Sequence, residues 1–137
     1  MKYLLDTNII SETRRPRLTN SGVVAWITEV EPDDLLVSVL TVLELERGTL
    51  AAERHQPDLG RALRWWMTEL IIPNYAARAI PVNARVALRA ATYIPTRKDL
   101  VADHLIAATA AEHDLVLVTR NVKDMTHPGV SLLNPFS

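Results

Sequence analysis

The 137-residue chain contains no cysteine. That excludes a disulfide framework, a zinc knuckle and a thiol nucleophile, and leaves the fold indifferent to redox compartment. An excess of basic charge is missing too, since 15 Lys and Arg stand against 16 Asp and Glu for a formal net charge of −1. Proteins held to nucleic acid by phosphate contacts alone carry a basic field, and this chain has none. A cluster of catalytic acids would nevertheless mask basic residues around it. Long apolar runs are also absent. Asp6 breaks the run that begins at Lys2, so no secretory signal is expected, and nothing approaches the length of a membrane span. A cytoplasmic protein is expected. His55, His104, His113 and His127 form no HExxH or similar spacing, and each is expected to be solvated or to cap a helix.

What is present is the make-up of an ordinary globular protein: a hydrophobic share of 48% and a charged share of 23% set it apart from disordered or fibrous chains. Its length suits a single domain over residues 1–137 that buries roughly two thirds of its unfolded surface. No internal repeat, linker or low-complexity segment interrupts it.

Apolar runs at Lys2–Leu5, Leu35–Val39, Ala79–Val82, Leu115–Val118 and Val130–Leu133 read as strands. Between them, Thr7–Arg15, Val23–Val30, Thr41–His55, Pro57–Leu70, Ala84–Tyr93 and Asp99–His113 read as helices, with Pro16 and Pro95 as stops and Asn83 as an N-cap. Leu59, Leu63, Trp66 and Leu70 fall at steps of three and four, which makes Trp66 a core residue and leaves Trp65 nearer the rim. Short strands alternating with helices predict an α/β fold: a parallel sheet of about five strands with helices on both faces. In such a sheet the chemistry sits outside the carboxyl ends of the strands.

Acids gather at that edge. Asp6 ends the first strand, Glu44 follows the second, Asp103 lies on the helix leading into the clearest strand, and Asp124 lies just past that strand. Each has a structural explanation when taken alone. An Asp there caps a helix, Thr41-x-x-Glu44 and Thr96-x-x-Asp99 both fit a capping box, and a turn Asp is common. Asp103 resists most, because its helical face also carries Ile106, Ala107 and Ala110 and an unpaired charge buried there would need a cation. Four converging carboxylates raise one another's pKa values, and oxygen-only ligands select Mg²⁺ or Mn²⁺ over zinc. Asp99, one turn before Asp103, is a supporting candidate. Arg14, Arg15, Arg17, Arg97, Lys98, Arg120 and Lys123 flank the acidic motifs, where they could seat phosphates or simply be solvated.

The stretches "LLDTNIISE", "SVLTVLELERG", "DHLIAATAAEHDLVLVTRNVKD" and "LLNPF" resemble, in order and nearly end to end, the PIN-domain ribonucleases, in particular the VapC-like toxins of bacterial toxin–antitoxin pairs. The resemblance implies a Mg²⁺- or Mn²⁺-dependent endoribonuclease acting on RNA, usually a homodimer, inhibited by a cognate antitoxin protein. It places the four catalytic and metal-ligating acids on Asp6, Glu44, Asp103 and Asp124. It adds Asn8 and Ser11 as groups that orient coordinated water, with Thr119 and Asn121 as companions from the "TRN" motif, and leaves Glu12 to face solvent or form an ion pair. His104 departs from the family, which commonly has a small or apolar residue there. Two other phosphate-handling α/β families fit less well. A haloacid-dehalogenase-type phosphatase wants a second acid where Asn8 stands, and a receiver module wants paired acids and a late lysine. A non-catalytic PIN-like scaffold that binds RNA or protein would be marked by a lost acid, and none of the four is lost.

Overall fold

The computed structural model describes residues 1–15, 19–93 and 101–137. Pro16, Arg17, Pro95, Thr96, Arg97, Lys98 and Asp99, to which the sequence assigns helix stops, a capping box, basic flanks and a supporting acid, lie outside them.

The chain opens with β1 (Tyr3–Leu5), α1 (Thr7–Thr13) and α2 (Ser21–Glu29), then β2 (Leu35–Leu36), α3 (Val39–His55) and α4 (Pro57–Trp66). A π-helical turn (Met67–Ile71) leads into α5 (Ile72–Asn74), followed by α6 (Ala84–Ala91), α7 (Val101–Glu112), β3 (Val116–Val118), α8 (Val122–Met125) and β4 (Ser131–Leu133). The helix expected over Pro57–Leu70 therefore changes character after Trp66. Pro73 cannot donate to the carbonyl four residues back, and its ring would crowd that group, so the backbone widens just ahead of it.

All strand pairs are parallel, in the order β2-β1-β3-β4. Among the described residues the sheet has four strands rather than about five. The run Ala79–Val82 contributes only a parallel bridge between Ser38 and Ile80 beyond the end of β2, with Ile80 N–H donating to Val37 O at 2.9 Å. The expected strand at Leu35–Val39 is likewise short, because the next helix begins at Val39, two residues before the expected start.

Strand residues alternate between two apolar layers, as the two-residue side-chain period requires. Leu4 and Leu117 pack with Val86, Ala90, Ile106 and Ala107 beneath α6 and α7, while Leu5 and Val118 pack with Ile9, Ile10, Trp66 and Ile71 beneath α1 and α4. Both faces are covered, so the strands show no polar alternation. Trp66 is in the core and Trp65 is 62% exposed, as the helical spacing predicts. Asn83 caps α6, its side chain accepting from Val86 N–H at 3.0 Å.

Two expectations fail in ways that matter for the site. His104 is 2% exposed rather than solvated, its ring edge-on to His127 at 5.1 Å. His127 in turn stacks on Tyr93 at 4.3 Å, and Tyr93 donates its hydroxyl to Pro128 O at 2.9 Å. The end of α6, the first turn of α7 and the segment after α8 are thereby held together. Glu12, expected to face solvent or form an ion pair, instead accepts from Asn20 N–H at 3.0 Å at the start of α2.

Candidate active site

The strand order fixes where a ligand can enter. β2 lies on one side of β1 and β3 on the other, so the connections leaving β1 and β3 diverge and open a crevice between their carboxyl ends. Asp6 follows β1 and Thr119 follows β3. The two residues face each other across that crevice.

Asp6 is 4% exposed and its carboxylate accepts three hydrogen bonds. Oδ1 takes Thr7 N–H at 2.8 Å, capping α1; Oδ2 takes the Thr119 hydroxyl at 2.8 Å and Asn8 Nδ2 at 3.3 Å. An ionised carboxylate offers about four lone-pair positions, so one stays open. Burial pushes the Asp6 pKa up, the donors Thr119, Thr7 and Asn8 pull against it, and the charge of Glu44 raises it again; the net direction is upward. Capping and ligand roles are therefore compatible in this residue, because they use different lone pairs.

Glu44 reaches the site from α3. The pattern Thr41-x-x-Glu44 is not a capping box here, because Ser38 is the N-cap of α3, its hydroxyl accepting from Leu40 N–H at 3.1 Å. Glu44 Oε1 instead accepts the Thr7 hydroxyl at 2.9 Å, and buried Thr41 lies 3.2 Å from the same hydroxyl. Thr7 has one proton to give, so it donates to Glu44 and accepts from Thr41. Sequence reasoning missed Thr7 and assigned Thr41 elsewhere; the available signal was a hydroxyl directly after the strand-end acid.

Asp103 sits half-buried in the first turn of α7, and Asp124 sits half-buried in α8. Burial raises the Asp103 pKa first, and the charges of Asp6 and Asp124 raise it further. Electrostatically the four acids form a series, Glu44–Asp6–Asp103–Asp124, contributed by α3, the end of β1, α7 and α8. They stand within reach of one another's charge without a closed ligand shell: among the described residues no three acidic or histidine side chains are close enough to enclose a metal on their own.

Asn8 and the "TRN" segment lock the crevice. Asn8 donates to Asp6 and accepts Arg120 N–H at 3.2 Å, while Thr119 donates to Asp6 and accepts Asn121 N–H at 2.9 Å. Asn121 thus acts through its backbone, and its side chain is not the cap of α8. Ser11 lines a cavity of about 170 Å³ together with Thr7, Arg14 and Glu44. A cavity of about 370 Å³ lined by Pro32, Trp66, Ile71, Tyr75 and Arg78 includes none of the four acids.

The donor set suits a hard divalent cation. It is all oxygen, it presents an open lone pair on a buried carboxylate, and the burial that raises the pKa of Asp6 and Asp103 is a cost that a bound cation would offset.

The PIN domain family model matches residues 3–125. The chain is 33% identical over 138 residues to Toxin FitB of Neisseria gonorrhoeae, covering 97% of each sequence. It is 28% identical over 141 residues to VapC ribonuclease Y4jK of Sinorhizobium fredii, covering 97% of this chain and 96% of that one. The crystal structure of FitAcB from Neisseria gonorrhoeae matches with a TM-score of 0.84 at 33% identity, covering 97% of each chain.

Proposed function

The chain belongs to the PIN-domain family, and from that premise we propose that it is a Mg²⁺- or Mn²⁺-dependent endoribonuclease, the toxin of a toxin–antitoxin pair. The observation that carries this reading is the buried Asp6, held by three neutral donors and within electrostatic reach of Glu44 and of Asp103, which in turn feels Asp124. Such a set favours a cation. The relatives named as a toxin and a VapC ribonuclease support the same assignment.

Asp6, Asp103 and Asp124 would hold the cation together with water, since among the described residues no three acids enclose a metal by themselves. A divalent ion supplies Lewis-acid activation of water and neutralises charge developing at phosphorus. The residues do the rest. Thr119, Asn8 and Thr7 N–H fix the Asp6 carboxylate and leave one lone pair of Oδ1 for a cation. Thr7 pins one Glu44 oxygen and leaves the other available as a ligand or to accept the proton of the water that attacks in line. Hydrolysis of an RNA phosphodiester bond follows from that arrangement.

The reading extends to a single domain over residues 1–137, acting in the cytoplasm as a homodimer and restrained by a cognate antitoxin. Exposed Trp65, beside Leu70, Ala62 and Arg14, offers the sort of aromatic anchor a protein partner uses. Incubating the purified protein with a pool of fluorogenic RNAs, with Mn²⁺, with Mg²⁺ and with chelator, tests the assignment. Cleavage is expected with either metal, absent with chelator and lowered by orders of magnitude in Asp6→Asn and Asp103→Asn. Metal-independent cleavage, or RNA binding without cleavage, would overturn it.

A further inference from the structure

A crevice lined by four carboxylates repels the polyanion it is proposed to cut, and a net charge of −1 supplies no long-range attraction to offset this. A local cation at the rim is required. Several guanidinium groups of the chain are committed elsewhere. Arg64 pairs with Glu46 and Glu53, Arg61 with Asp58 and Arg89 with Glu112, while Arg78 donates to backbone carbonyls around the start of β2.

Arg120 is placed differently. Its backbone N–H donates to Asn8 Oδ1 at 3.2 Å, and Asn8 in turn holds Asp6, so the residue is fixed at the edge of the acidic crevice. Its guanidinium lies 4.9 Å from the centre of the Phe136 ring. Among the described residues it has no carboxylate partner and its side chain makes no hydrogen bond. The ring beneath it is itself anchored. Phe136 packs against the apolar layer beneath α1 and α4, and its N–H donates to Asn134 Oδ1 at 3.0 Å. Ser137 N–H donates to Asn20 Oδ1 at 3.0 Å, and Gly22 N–H donates to Ser137 Oγ at 3.2 Å. A guanidinium over an aromatic face keeps its charge and its planar fork of donors, the geometry that takes two oxygens of one phosphate.

We propose that Arg120, steadied by Phe136, seats a backbone phosphate of the RNA beside the bond that is cleaved. The proposal rests on the nuclease reading, and it assigns Arg120 to substrate binding rather than to the reaction itself.

The test uses Arg120→Ala, Arg120→Lys, Phe136→Leu and Phe136→Tyr. KM and kcat are measured on a fluorogenic RNA at several salt concentrations, together with the Mn²⁺-induced shift in melting temperature. Arg120→Ala should raise KM about tenfold, the loss of one charge-assisted phosphate contact, leave kcat within about twofold, and flatten the salt dependence of log KM by about one phosphate's share, roughly 0.7. Arg120→Lys should keep the salt slope yet bind more weakly. Phe136→Leu should raise KM by a smaller factor and Phe136→Tyr should restore it, with the Mn²⁺ shift unaltered throughout. An unchanged KM in Arg120→Ala overturns the proposal. So does a fall in kcat with a smaller Mn²⁺ shift, which would mean that Arg120 acts through Asn8 on Asp6. If the wild type cuts no RNA, the nuclease reading fails separately. Arg120 is then judged by RNA binding to Asp103→Asn with and without Arg120→Ala, using fluorescence anisotropy, and equal affinities and salt slopes reject it.

Discussion

The Thr119 hydroxyl donates to Asp6 Oδ2 at 2.8 Å, joining residues 113 positions apart across the crevice between β1 and β3. Thr119 is fully buried, and its hydroxyl oxygen also accepts Asn121 N–H, so it orders both the acid and the loop after β3. Thr119→Val keeps the shape but strips the donor from a buried carboxylate and the acceptor from a backbone amide. A loss of about 1–3 kcal/mol in urea unfolding is expected, since each group left behind bears its desolvation cost. Cleavage should fall roughly tenfold as the Asp6 carboxylate loses its orientation. Thr119→Ser, which retains the hydroxyl, should recover most of both. Equal stability of the Val and Ser variants would count against this link.

The raised carboxyl pKa values of Asp6 and Asp103 give the metal-free protein a particular response to pH. A carboxyl group with a higher pKa folded than unfolded binds its proton more readily in the native state. Native stability therefore increases as pH falls through the folded pKa, and the gain is complete below the unfolded value of about 3.9. Asp103→Asn removes both its own burial cost and its repulsion of Asp6. Without metal it should melt a few degrees above the wild type at pH 7, and that margin should shrink as the pH is lowered towards the ordinary carboxyl range and the wild-type acids take up protons. Comparing the two proteins cancels groups they share, including Glu53, whose pKa is lowered chiefly by its hydrogen bond from Arg64. Mn²⁺ should stabilise the wild type more than the variant, by mass action on the folded state. A margin that stays constant as the pH is lowered through the carboxyl range, with identical metal shifts, would show that these acids do not share a site.

Gly22 sits where the chain's last residues cross α2. A Cβ there would lie 2.3 Å from Pro135 O and 2.9 Å from Ser137 N, both backbone atoms, so the tail would have to move. Gly22→Ala should cost about 1–3 kcal/mol of stability and, by displacing Phe136, raise KM for RNA as Phe136→Leu does. Gly60→Ala provides the contrast. Its Cβ would meet Glu53 Cα at 2.6 Å where α4 crosses α3, so a similar loss of stability is expected with KM unchanged. Matched KM values in the two variants would show that tail position is irrelevant to RNA.

Local pattern alone determined a good deal. The apolar runs of β1 and β3, the Asn83 cap, and the burial of Trp66 with exposure of Trp65 all follow from spacings of two to four residues, and the structure agrees with each. Tertiary structure decided the rest. Thr41 and Glu44 satisfy a capping box on paper, but Ser38 takes that role, and the two side chains meet Thr7, 34 and 37 residues away. His104 looks like a surface residue until Tyr93 and His127 close over it. Arg120 is one of several flanking cations until Phe136 arrives beneath it. A backbone conformation is chosen largely by neighbours within a turn, so sequence patterns can report it. A side chain's partner, and with it the pKa and orientation of a catalytic group, is chosen by residues that the chain's crossovers bring from far along the sequence, where no local spacing carries the information.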